Sequence, residues 1–344
     1  MKPLLLTLLL VSSMHAQWQK VDVKTTASFR GLDAVNEKII WASGTEGTVI
    51  RSVDAGKTWS VMTVPGADKL DLRGIKAFDA NTAVVISSGP AERGQAKIFR
   101  TTDGGKNWKQ DFEEKRTGVF FDAVKFWDKQ HGIVLSDPVD GKFALFTTYD
   151  SGVTWKQLPP SVLPAALPNE GAFAASNSCL VVHGANDVWF ATGGAKIARV
   201  FHSHDRGKTW EVSETPMHPA NASSGIFSLA FSDAKNGVAA GGDYQKPDRS
   251  DLLNVMRTHD GGKTWQEAEP TSPAGVYLSS VIYSGPTGGK TPISAAGTAG
   301  ILRSDDSGNW RIEFTEPVNA LLIGKELDLW AVGPKGLVLK KMPR

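Results

Sequence analysis

Ser52-Val53-Asp54-Ala55-Gly56-Lys57-Thr58-Trp59 decides the reading of this chain, because the chain repeats it. It returns as Thr101-Thr102-Asp103-Gly104-Gly105-Lys106-Asn107-Trp108 and as Thr148-Tyr149-Asp150-Ser151-Gly152-Val153-Thr154-Trp155. It returns again as Ser203-His204-Asp205-Arg206-Gly207-Lys208-Thr209-Trp210 and Thr258-His259-Asp260-Gly261-Gly262-Lys263-Thr264-Trp265. A shortened sixth copy reads Ser304-Asp305-Asp306-Ser307-Gly308-Asn309-Trp310. Successive tryptophans stand 49, 47, 55, 55 and 45 residues apart. A period of this size means one supersecondary unit stacked on copies of itself, none of which buries its apolar face alone. The residue types suit a tight turn. Aspartate accepts bonds from backbone N–H groups of its own turn, glycine supplies positive φ, and the Ser/Thr hydroxyls add local bonds. The tryptophan then wedges into apolar neighbours.

Each copy follows a short strand, such as Thr48-Val49-Ile50-Arg51, Lys97-Ile98-Phe99-Arg100 or Gly300-Ile301-Leu302-Arg303, and its tryptophan opens another. A second repeated element, Trp41-Ala42-Ser43-Gly44-Thr45-Glu46-Gly47-Thr48-Val49-Ile50-Arg51, recurs as Trp330-Ala331-Val332-Gly333-Pro334-Lys335-Gly336-Leu337-Val338-Leu339-Lys340. The spacing is that of a four-stranded propeller blade, with the repeated turn between its third and fourth strands. The turn resembles the Asp-box, or BNR repeat, of β-propellers. On that resemblance Asp54, Asp103, Asp150, Asp205, Asp260 and Asp306 are the turn acids, and Trp59, Trp108, Trp155, Trp210, Trp265 and Trp310 are buried wedges. After Lys340 the last unit lacks its fourth strand, and Trp18-Gln19-Lys20-Val21 matches the strand that follows each box. The expected fold is all-β: one seven-bladed β-propeller over residues 17–344, its last blade completed by the N-terminal strand. Such closure removes the open sheet edges that invite aggregation.

Met1-Lys2, the apolar run Leu4 to Val11 and Ser12-Ser13-Met14-His15-Ala16 have the charge, apolar stretch and small-residue cleavage site of a secretory signal, so residues 1–16 are expected to be removed. No cysteine follows the run, so no lipid anchor is expected, and no other stretch reaches the ~18 apolar residues of a membrane span. The expectation is a periplasmic or secreted monomer without stable membrane insertion. With 38 basic and 36 acidic side chains the formal charge is +2, which argues against nucleic acid or an anionic membrane as the main partner. The single cysteine, Cys179, lies in an apolar run and reads as a buried small hydrophobe.

In a blade numbered A to D from the axis outward, D–A and B–C loops share one face and A–B and C–D loops the other. The A–B turns look short, while Pro159 to Gly171, Glu214 to Gly225, Gly89 to Gln95, Asp137 to Lys142 and Gly242 to Leu252 fall on the D–A/B–C face. Insertions confined to one face of a repeat protein mark its binding face. Phe29-Arg30-Gly31-Leu32 and Leu72-Arg73-Gly74-Ile75 are equivalent openings of innermost strands, which aims Arg30 and Arg73 at the channel mouth. The loops add Asp137, Asp140, Glu170, Arg199, Asp243 and Tyr244. The functional reading is a polar, partly cationic pocket for a carboxylate or a peptide segment. The alternative is a wet channel whose polar groups bond water and one another.

Several chemistries lack their residues. Gly-Lys-Thr at Gly56, Gly207 and Gly262 has no glycine at the phosphate-loop spacing, since Arg51, His202 and Arg257 stand there. There is no Gly-x-Gly-x-x-Gly unit, no Gly-x-Ser-x-Gly elbow and no His-Glu-x-x-His. His202, His204 and His259 lie in or beside the boxes and read as turn-flanking side chains. The boxes lack the alternating carboxylates of an EF-hand loop. No metal, cofactor or catalytic residue is expected. Sialidases share the boxes but pair a Tyr nucleophile with three arginines, the first in an Arg-Ile-Pro sequence; here Arg30-Gly31-Leu32 stands instead, and Arg30, Arg73 and Arg199 are the candidate trio.

The seven-unit count, the Trp-Ala-x-Gly-x-x-Gly-x-Val/Ile element, the Asp-Gly-Gly-Lys-Thr-Trp boxes and the Phe-Arg-Gly-Leu strand resemble the photosystem II stability/assembly factor family of propellers over about Trp18 to Met342. The resemblance implies a non-enzymatic exported scaffold that binds a protein partner, such as a membrane-complex subunit, during assembly. The alternative is a sialidase-like glycoside hydrolase or a lectin using the same pocket.

Overall fold

In the computed structural model, residues 17–219, 221–248, 254–268, 276–285, 292–305, 309–324 and 328–341 are described. The expected signal segment, residues 1–16, lies outside them. Seven four-stranded antiparallel sheets follow one another around a ring. The innermost strands are Phe29–Ala34, Gly74–Ala77, Phe121–Phe126, Leu180–His183, Ser224–Phe231, Leu278–Tyr283 and Ala320–Ile323. Blades one to six are each contiguous in sequence. The seventh takes its outer strand, Gln19–Val21, from the chain's start, pairing Gln19 with Lys340, Lys20 with Leu339 and Val21 with Val338. The seven-bladed ring and its closure are therefore as the repeat count required. Helical structure in the described residues amounts to two 3-10 turns, Ala91–Arg93 and Pro160–Val162. Among the described residues no helix is long and apolar enough to cross a membrane.

The repeated turn is held by its aspartate. In blade one the Thr58 amide donates to Asp54 Oδ1 at 2.9 Å, Thr58 Oγ1 donates to Oδ2, and Ser52 Oγ donates to Oδ1 at 2.8 Å. Gly56 closes the turn at φ +80° and donates its N–H to Ser52 Oγ at 2.8 Å. Asp103, Asp150, Asp205 and Asp260 accept the same bond from the amide four residues on. In blade six the acceptor is Asp305 rather than the expected Asp306: the Asn309 amide donates to Asp305 Oδ1 at 2.9 Å, and Asp306 lies outside the described residues. This turn is one residue shorter between serine and aspartate, and Ser304 Oγ accepts from the Ile293 amide instead.

The seams between blades hold most of the aromatic mass. Trp41, Trp189 and Trp330, on second strands, are fully buried. Trp330 meets Trp59 of blade one edge-on at 5.9 Å, and Trp41 meets Trp108 of blade two at 6.5 Å. The Trp189 indole N–H reaches the Gly261 carbonyl of blade five at 2.8 Å. The turn tryptophans are less uniform than expected. Trp155, Trp210 and Trp265 are buried against Phe126, Phe190 and Phe231 of their own blades, whereas Trp59, Trp108 and Trp310 are half-buried. The difference lies in what covers the ring, since blades one and two have no phenylalanine in those positions. Cys179 is free and buried, and burial pushes its thiol pKa up.

Candidate functional site

A pocket of about 540 Å³ opens where the innermost strands begin, on the D–A/B–C face. Local backbone geometry aims its walls. The pairing of first and second strands skips one residue in four blades, and the skipped residues are Arg30, Asp122, Phe227 and Ser279. A fifth skip, between the second and third strands of blade three, falls on Asp137. An extra residue in one strand leaves the ladder and turns its side chain aside. All five line the pocket, joined by Arg73, which precedes Gly74 as Arg30 precedes Gly31. The glycines leave no room for larger neighbours: a Cβ on Gly31 would stand 2.2 Å from Ser43 Oγ, and one on Gly74 2.7 Å from an Ile86 side-chain carbon.

The mouth is crossed by the chain itself. The approach to blade four, residues 172–177, lies over the channel and is tied to blades on both sides of it. Arg30 Nη1 donates to the Ala175 carbonyl at 3.1 Å and Arg73 Nη1 to the Ala174 carbonyl at 3.3 Å. The Ala172 amide donates to Asp137 Oδ1 at 2.9 Å, Ser176 Oγ to the Ser279 carbonyl at 2.6 Å, and Asn177 Nδ2 to the Ile75 carbonyl at 3.2 Å. Phe173 stacks on Phe227 at 3.9 Å, and Tyr277 meets Phe227 edge-on at 4.9 Å. Tyr244, half exposed, completes this aromatic wall 6.5 Å from Tyr277.

The electrostatics divide the pocket. Burial, and then the Arg73 charge, lower the Arg30 pKa, so two like charges share one side. Arg73 Nε also donates to Asp71 Oδ2 at 2.6 Å. Burial and the neighbouring Asp137 push Asp122 well above the usual carboxylate range, and burial raises Asp137 to about 6 despite the bond from Ala172. Burial also raises the Tyr277 hydroxyl, the wrong direction for an activated nucleophile. Asp137 is protonated in the folded state over a pH range where the unfolded chain has already lost that proton. Its contribution to stability is therefore fully present below about pH 4 and lost as pH rises through 6. Asp137→Asn, whose amide oxygen still accepts from Ala172, should raise stability at pH 8 by on the order of 2–3 kcal/mol and leave it unchanged at pH 4. Urea unfolding at the two pH values measures this, and an equal gain at both contradicts the raised pKa.

Of the residues expected in the site, Arg30, Arg73, Asp137 and Tyr244 come together. Glu170, Arg199 and Asp243 do not line this pocket. Arg199 Nε donates to Glu170 Oε1 at 2.9 Å and its Nη2 to Oε2, both partners being buried, and a further bond runs from Arg199 Nη2 to the Ala165 carbonyl at 2.8 Å. This pair pins the long loop before blade four, so Arg199 is not available for a three-arginine clamp. Asp243 is buried and accepts from Ser223 Oγ at 2.6 Å and Asn221 Nδ2 at 2.9 Å, organising its own loop. Asp140 occupies an exposed turn at φ 50°. The sequence reading missed Asp122, Phe173, Phe227, Tyr277, Ser279 and Asn319. Four of these had a signal. Arg30, Arg73, Asp122, Phe227, Ser279 and Asn319 all stand between an apolar and a small residue at the opening of an innermost strand.

Comparison with known proteins places the chain among propellers. No family model matches it. It is similar to the photosystem II assembly protein Ycf48 of Synechococcus sp. (strain JA-2-3B'a(2-13)), with 25% identity over 317 residues covering 79% of this chain and 85% of the relative. It is also similar to the xyloglucanase Xgh74A of Acetivibrio thermocellus, with 24% identity covering 64% of this chain. The match spans 28% of the xyloglucanase's length. Among solved structures, YCF48 bound to a D1 peptide superposes with a TM-score of 0.67 at 17% identity, covering 96% of this chain and 98% of that one. The shared fold is the seven-bladed ring.

Proposed function

We propose that this chain is an exported, non-enzymatic propeller that binds a protein partner, in the manner of an assembly or stability factor, through the pocket on its D–A/B–C face. One observation carries the reading: Arg30 and Arg73 already grip main-chain carbonyls of the 172–177 crossing beside a stacked aromatic wall. A guanidinium pair with a flanking aromatic surface suits a peptide strand and, at its end, a carboxylate. Similarity to Ycf48 proteins, one of which is solved with a D1 peptide, supports a polypeptide ligand. Export rests on the leader-like residues 1–16, and the partner fitting this reading is a subunit of a membrane complex.

The test is binding to arrayed peptides ending in a free carboxylate or in an amide. The free-carboxylate set should bind, and Arg30→Ala with Arg73→Ala should weaken capture about a hundredfold, the effect of losing two charge-assisted bonds. Because both arginines also hold the 172–177 crossing, the melting temperature of the double variant will fall somewhat. Tyr244→Ala touches no such bond and should weaken capture with the melting temperature unchanged. Capture unaffected by either variant overturns the proposal.

A second reading, glycoside binding or hydrolysis in the same pocket, draws on the Asp122 and Asp137 carboxylates and on the xyloglucanase similarity. Release of reducing sugar from xyloglucan by the purified chain, abolished in Asp122→Asn, would establish it over the first.

A further inference from the structure

On the opposite face of blade four, we propose that Asp187, His202 and His204 form a binding site for a divalent transition ion of the zinc class. The placement follows from strand geometry. His202 and His204 are two residues apart at the end of strand Arg199–Ser203, so their side chains share a face. Asp187 opens the neighbouring strand Asp187–Ala191, in which Val188 pairs with Ser203 and Trp189 with His202. Asp187 therefore stands beside His204 on that same face.

The donor atoms already converge. Asp187 Oδ1 lies 3.1 Å from His202 Nε2 and 2.7 Å from His204 Nδ1, and the three ligand atoms lie within 4.8 Å of one another. Around a tetrahedral ion with bonds of about 2.0–2.1 Å, donors sit roughly 3.3 Å apart, so admitting the ion opens the two oxygen–nitrogen separations by about 0.2 and about 0.6 Å. His202 is fixed in place: its ring stacks on Trp189 at 4.2 Å, and Trp189 is backed by Phe231 at 4.0 Å. His204 is exposed and provides the way in, and Glu211 pairs with His202 on the outer strand. Two imidazoles and a carboxylate select zinc, nickel or copper over calcium or magnesium.

Blade four departs from its own repeat here. At the position of His202, blades one, two, five and six carry Arg51, Arg100, Arg257 and Arg303, and Arg51 lies 5.4 Å from the Trp41 ring. A histidine stacked in that place, with a second histidine two residues on and an aspartate bonded to both, exchanges a cation for a ligand set.

The experiment uses the full chain, stripped with chelator, loaded with Zn2+ or Ni2+, and desalted before metal analysis. One ion should remain per chain and raise the melting temperature. His204→Ala, a change in an exposed turn, should weaken binding at least about tenfold, the minimum effect seen even for groups outside the ligand shell. His259→Ala, the matching turn histidine of blade five, should bind as the parent does. Absence of retained metal in the parent chain, or retention by His204→Ala equal to the parent's, overturns the proposal and leaves a hydrogen-bonded trio.

Discussion

A chain beginning at Lys24 should melt well below one beginning at Gln17 and lose its single sharp transition. Removing Gln17 to Val23 deletes the strand Gln19–Val21 and exposes the ladder groups of Val338–Lys341. It also removes Trp18, whose indole N–H reaches Glu313 Oε2 at 3.3 Å and whose ring packs with Leu321 and Leu339, and Val23, buried against the cluster that holds Phe29 and Trp330. Lys20 loses its ion pair with Glu316. Two large apolar side chains at ~1.5–3 kcal/mol each, together with the ladder, make a loss on the order of 5 kcal/mol. The consequence exceeds that sum, because an open ring exposes both faces of the seam between blades seven and one. Calorimetry of the two chains decides the matter, and coincident transitions would show that the ring stays closed without the N-terminal strand.

Trp189→Ala should be among the most damaging single substitutions. The indole is fully buried, stacked on one side by His202 at 4.2 Å and on the other by Phe231 at 4.0 Å, and its N–H donates to Gly261 at 2.8 Å. Truncation opens a cavity across the seam of blades four and five and leaves the Gly261 carbonyl without this donor. The expected cost is about 4 kcal/mol, equivalent to a fall in Tm of about 6 °C for a chain of this length. Trp210→Ala, buried within its own blade, should approach that value. Trp108→Ala, only half-buried, should cost distinctly less. Equal losses at Trp189 and Trp108 would contradict this ranking by burial.

The pocket-bearing face was legible in the sequence because insertions collect there, and Arg30 and Arg73 because they occupy equivalent positions ahead of a glycine in blades one and two. The same apolar-x-small-apolar register extends to Asp122, Phe227, Ser279 and Asn319, where the changing residue type hides it. In the sequence Glu170 and Arg199 both fall toward one face, which makes them look like site residues. In the fold they find each other first, since two opposite charges taken out of water are tolerated only as a bonded pair. In the sixth copy the bond that defines the turn runs from the amide four residues on, and that spacing selects Asp305.

The sequence by itself determined the unit, its number and its closure, because those are local or periodic properties: a turn's hydrogen bonds lie within eight residues, and the ring follows from counting. The tertiary structure alone decided which side chains meet. Residues 172–177 cross the pocket through bonds to Arg30, Arg73 and Ser279, each about 100 residues or more away along the chain. His204 meets Asp187 only because two strands pair in one register. Such contacts have no local signature, since the free energy that places them comes from packing seven blades around one axis.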